Sequence, residues 1–187
     1  MRSRLIILGI FTVFSCKAQQ MLSLNASVYN SPTNSYFKDI NNELDPYIGV
    51  WKASFQGKII LIKIIKELKV PFEMWGKNNF KDRLLVRYEI INNNGVILES
   101  SLNNNFNTKV KLLIEGSEIE DDLVKLIFAG GNCSVGIGEI ILRKVNGTKV
   151  SWSYYPGTTT MNDKDCPPNL DYTIYLPETE NLIFTKQ

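Results

Sequence analysis

Histidine is absent from all 187 residues. Without it the chain cannot build a Ser-His-Asp triad, a Cys-His dyad or a His-rich zinc site from its own side chains. Cysteine is scarce: Cys16, Cys133 and Cys166 are the full set, and no two stand in C-x-x-C spacing. Long apolar runs are missing too. The longest uncharged one, residues 5–14, falls short of the roughly 20 residues that cross a bilayer as a helix. Apolar residues almost never recur at helical spacing, and no repeat of 20–50 residues occurs. What is present is ordinary for a packed domain: 44% hydrophobic and 21% charged residues. The length suits one domain plus a leader.

That leader is residues 1–20, MRSRLIILGIFTVFSCKAQQ. Arg2 and Arg4 precede the apolar run, as in a bacterial secretion signal. Val13-Phe14-Ser15-Cys16 then resembles a lipobox, with an aliphatic residue at −3, a small one at −1 and Cys at +1. The resemblance implies cleavage before Cys16 and lipidation of its thiol. Residues 1–15 are then a lipoprotein signal peptide, and Cys16 anchors the chain to a membrane. Cleavage after Ala18 or Gln19, giving a secreted protein, is the alternative. Loss of Arg2 and Arg4 lowers Lys plus Arg from 21 to 19, equal to the 19 Asp plus Glu. No basic surplus remains to attract nucleic acid.

Residues 16–44 are rich in Ser and Asn and poor in periodic apolar residues, which predicts a flexible lipid-anchored tether. From residue 45 to 187 the chain reads as strands. Trp51, Ala53 and Phe55 alternate with Lys52, Ser54 and Gln56, the period of a half-buried strand. Five Ile in residues 59–65 favour a second strand over 59–68, and residues 71–82 break the pattern. Leu84, Val86, Tyr88 and Ile90 mark a third. Asn92-Asn93-Asn94-Gly95 and Asn146-Gly147 are hairpin turns. Further strands fall near residues 96–101, 109–115, 123–128, 136–144, 149–154 and 181–186. Residues 156–169 form a loop, and 170–176 a short strand or a covering segment. Consecutive strands on tight turns predict an all-β antiparallel meander closed as a barrel of 8–10 strands, with a two-sheet β-sandwich as the alternative.

Cys133 and Cys166 remain once Cys16 is lipidated. In an oxidising compartment two such residues most simply pair as a disulfide; free thiols, or a redox or metal role, are the other readings.

Asp45-Pro46-Tyr47-Ile48-Gly49-Val50-Trp51 resembles the opening of lipocalin-like and fatty-acid-binding-protein-like barrels. The resemblance implies that Gly49 and Trp51 close one end; Trp152, alternating with Ser151 and Ser153, is expected to face the core from a neighbouring element. A longer pattern adds Gly57, Lys81-Asp82-Arg83-Leu84, Tyr88, Asn94-Gly95, Asn146-Gly147, Pro156-Gly157, Pro177 and residues 181–186. This layout is similar to an uncharacterised Bacteroidota (Flavobacteria-type) lipoprotein family, a domain of unknown function. It implies an address and a barrel but no catalytic residues.

The candidate chemistry is sparse. Glu118, Glu120, Asp121 and Asp122, and likewise Asn162, Asp163 and Asp165, lack the spacing of a calcium loop and read as turns. Ser134 and Ser151 have no His partner; Lys149 beside Ser151 is a weak dyad. Glu139, between Gly138 and Ile140, is a candidate lumen contact, with Tyr154 and Tyr155 near the barrel mouth as ligand-binding aromatics. The expectation is a non-catalytic envelope lipoprotein without cofactor or metal, lipid-anchored, first of all at the outer membrane. It binds a small apolar ligand, or else an envelope protein partner if its core is filled. A carboxylate-based hydrolase ranks last.

Overall fold

The computed structural model describes residues 18–160 and 166–187. The strands in chain order are β1 (Met21–Ser23), β2 (Tyr36–Lys38), β3 (Gly49–Phe55), β4 (Lys58–Met74), β5 (Lys77–Ile91) and β6 (Ile97–Ser100). They continue with β7 (Ile114–Glu120), β8 (Leu123–Phe128), β9 (Gly138–Asn146), β10 (Lys149–Pro156) and β11 (Thr179–Lys186). Eight of these, β3–β5 and β7–β11, form a closed antiparallel barrel. Each pairs with its neighbour in sequence, β6 aside. The ring closes where Lys52 of β3 meets Thr185 of β11 and where Leu84–Val86 of β5 meet Ile114–Gly116 of β7. Closure on both sides removes the open edges that a sandwich would keep.

Alternation along the strands sets the two faces. Trp51 and Ala53, then Ile60, Ile62 and Ile64, then Leu84, Val86, Tyr88 and Ile90 point inward. Leu126, Phe128, Ile140, Leu142, Trp152, Tyr154 and Phe184 do the same, and all are buried in one cluster. Tyr88, Phe128 and Tyr154 pack edge to face in series at 6.2 and 5.8 Å, and Trp152 lies 5.7 Å from Phe184. Side chains therefore occupy the interior, as they do in many barrels of this strand number.

The Gly-x-Trp entry has a local cause. Gly49 has φ +145, and a Cβ there would meet the Lys186 side chain at 2.9 Å. Glycine thus lets Lys186 lie over the Trp51 ring, 5.2 Å from its centre. The Trp51 indole donates to the Tyr47 carbonyl at 2.9 Å.

Three expectations change. First, the segment read as a tether is built into the fold from residue 18 onward. β1 pairs with β2, and β2 adds in parallel to β5 at Phe80 and Lys81. Phe37, Ser35, Asp39 and Leu44 are buried. Its scarce apolar residues mattered less than its polar ones. The Asp82 carboxylate accepts from the Tyr36 hydroxyl at 2.6 Å and from the Asp39 and Lys69 amides at 3.0 and 2.9 Å. Asp39 accepts from the Glu43 and Leu44 amides and pairs with Lys66 at 2.7 Å. Burial, then the bond to Asp82, pushes the Tyr36 phenol up to about 12.

Second, residues 71–82 do not interrupt the sheet. β4 and β5 run on as one long hairpin beyond Ile64, the last residue of β4 that β3 reaches. Pro71 is tolerated because β4 is an edge there. The hairpin turns at Trp75-Gly76, both at positive φ. Third, the strand expected over 109–115 begins only at Ile114. Leu112 still reaches the core, whereas Val110 is exposed. Residues 170–176 form no strand but cover the barrel end through Leu176.

Candidate functional site

Two hairpins project from the same end of the barrel. One is β4–β5; the other is β7–β8, which runs past Leu84 in that direction and turns at Asp121-Asp122. Between them, roofed by residues 24–28, lies an outward-facing cleft of about 830 Å³. Phe37, Phe72, Met74 and Ile127 give it an apolar wall; Lys81, Lys125, Glu115, Glu118, Glu120 and Glu139 supply charge.

The charges are not equivalent. Lys125 pairs with Glu120 at 2.5 Å and Glu118 at 3.3 Å. Glu115 is bound by Arg83, which also holds Glu67 at 2.8 Å. Lys81 has no ion pair among the described residues. It stands on β5 opposite Phe37 of β2, with its ammonium 5.2 Å from the centre of the Phe72 ring. Phe72 in turn packs edge to face on Phe37 at 5.8 Å. Burial, with a further push from the Arg83 guanidinium, holds the Lys81 amine below the ordinary lysine range.

The residues singled out from sequence are dispersed. Glu139 does not enter the lumen: Ile140 takes the inward position, so alternation turns Glu139 outward to the far margin of the cleft. Tyr155 lies opposite Glu139 on the same outer face and is exposed. Tyr154 points inward, fully buried, and donates its hydroxyl to the Gly136 carbonyl. Tyr154 thus serves the core, and the three do not converge. Gly49, Trp51 and Trp152 lie where the fold is packed, as described above. Cys133 and Cys166 lie at disulfide distance, their Cα atoms 6.0 Å apart, joining the turn after β8 to the loop after β10. Glu118 and Glu120 are committed to Lys125. Among the described residues no group of three or more Cys, Asp or Glu is placed to hold a metal ion. Cys16, Asn162, Asp163 and Asp165 lie outside the described residues.

At the opposite end of the barrel the Tyr88 hydroxyl donates to Glu99 of β6 at 2.6 Å. Burial raises the Glu99 carboxyl above its ordinary range, although the Tyr88 bond opposes the rise.

The whole chain, residues 1–187, matches the sequence pattern of a family of unknown function, DUF6705. The chain belongs to that family. For DUF6705 the structure thus supplies a closed eight-stranded barrel with an N-terminal segment pinned to its longest hairpin. No curated protein and no solved structure matches the chain.

Proposed function

We propose that the protein is a non-catalytic binding module of the bacterial cell envelope, a lipoprotein of Bacteroidota type held at the outer membrane by lipid on Cys16. Its ligand seat is the outer cleft, and the ligand is a small amphiphile with an apolar body and one anionic group. The observation that carries this is Lys81: a desolvated cation over the Phe72 ring, without a counter-ion among the described residues, facing an apolar wall. Keeping a charge out of water without a partner costs free energy. An incoming carboxylate or phosphate would remove that cost, while Phe72, Met74 and Ile127 receive the apolar part. The packed interior argues against a ligand in the lumen. Glu115 is held by Arg83, and Glu118 and Glu120 share Lys125, so these carboxylates are engaged in ion pairs, which suits binding better than acid–base catalysis.

The same packed interior favours a second reading, in which the barrel is a scaffold and an envelope protein covers the cleft. Native mass spectrometry of the protein purified from envelope membranes separates the two. The expected result is a bound anionic amphiphile that is lost from Lys81→Gln. Wild-type protein with no bound mass, or equal retention by the variant, would overturn the ligand reading.

A further inference from the structure

The tip of the β4–β5 hairpin carries a second surface. Trp75 is 72% exposed and Tyr29 71%, the largest aromatic exposures among the described residues. They are not stray side chains. Their rings meet edge to face at 6.4 Å, and Met74, 47% exposed, adjoins them. Lys77 fixes the arrangement from behind. Its ammonium donates to the Tyr29 and Ser31 carbonyls, each at 2.6 Å, and lies 6.0 Å from the centre of the Tyr29 ring. The Trp75-Gly76 turn has both residues at positive φ, which makes the hairpin end tight. A preorganised pair of exposed aromatics has little ordering entropy left to lose on contact.

The path of the N-terminal chain identifies what this surface meets. The Asn34 amide donates to the Asn78 carbonyl at 2.7 Å, and Asn78 lies just past the turn. The Gln19 side chain donates to the Asn34 carbonyl at 3.0 Å, and the Tyr36 amide to the Gln20 carbonyl at 2.8 Å. Residues 19 and 20 are therefore held beside the tip. Cys16 is three residues before Gln19, a span of no more than about 11 Å at full extension.

From this placement, and resting on the reading that Cys16 carries lipid, we propose that the Trp75–Tyr29 tip docks into the headgroup region of the bilayer that holds the anchor. The short leash places the tip within reach of that interface. Trp and Tyr are the side chains that favour it, with an apolar ring to bury and a polar group left in the headgroup layer. Anchor and tip together hold the barrel upright on the membrane, with the open cleft starting at Met74 beside the lipid surface. An amphiphile leaving that surface would meet the apolar wall first and Lys81 deeper in.

The test uses full-length protein purified from membranes and reconstituted into phosphatidylcholine vesicles whose acyl chains are brominated. Bromine quenches tryptophan only at short range, and Trp51 and Trp152 are enclosed by the barrel. Mass spectrometry of the N-terminal peptide reports the lipid in the same samples. Lipid on Cys16, with quenching in the wild type that disappears in Trp75→Phe, is the expected result. Lipid on Cys16 with equal quenching in both proteins would overturn the docking and leave the anchor standing. An unmodified Cys16 would overturn the anchor and the docking with it.

Discussion

Glu99 and Lys81 are partly buried ionisable groups on opposite sides of the same solvation cost. Glu99 keeps one neutral partner, the Tyr88 hydroxyl, and burial holds its carboxyl above the ordinary value near 4.5. Its proton is bound more tightly in the folded than in the unfolded chain. The associated stability is present below the unfolded value and is lost as pH rises through the raised folded one. Glu99→Gln retains an acceptor for Tyr88 and cannot ionise. Between pH 4.5 and about 7 the variant should therefore lose less stability than the wild type, or gain more, in urea denaturation at both pH values. Identical changes in the two proteins would refute the assignment. Little of this was legible in the sequence. Glu139 was a candidate for the lumen because it lies on a strand between Gly138 and Ile140, and strand parity, which the sequence alone did not fix, sends it outward. Lys81 fell inside a stretch that read as a break, and only a strand pairing with Phe37 reveals its setting.

At the scale of elements, the irregularity at Leu68-Lys69 organises the N-terminal third. Register slips between Glu67 and Val70, Lys69 takes φ 54, and its amide turns to Asp82. A bulge of this kind bends a strand and re-aims its backbone. It also spoils the two-residue period, which is why the apolar pattern of β4 reads as ending at Leu68 although the strand continues to Met74. The strands flanking Asn94-Gly95 and Asn146-Gly147 were legible because turn chemistry and alternation agree there. β1 and β2 were not, because their attachment rests on buried carboxylates and not on apolar spacing. Asp82→Ala removes acceptors for three donors at once. It should cost about 3 kcal/mol and expose residues 19–44 to limited proteolysis before the barrel itself. A variant whose segment resists protease as the wild type does would show that the carboxylate is not what pins it.

For the whole molecule, the number of barrel strands and their meander order were legible from turn spacing, since each barrel strand, β6 aside, lies beside its sequence neighbour. The closing seam was not, because no local signal announces that β11 will meet β3. That seam governs the order of events during folding. Lys52 must wait for Thr185, and Tyr36 for Phe80, so these early strands lack their partners until distant residues have emerged. Contacts this remote in sequence make folding slow. A chain lacking residues 179–187 should stay uncompacted, without the near-ultraviolet dichroism of packed Trp51 and Trp152; a native spectrum from that truncation would refute this. A polypeptide whose barrel cannot close before residues 179–187 are made leaves β3 and β10 unpaired in the meantime, and bare strand edges are where one copy of a chain can join another and aggregate.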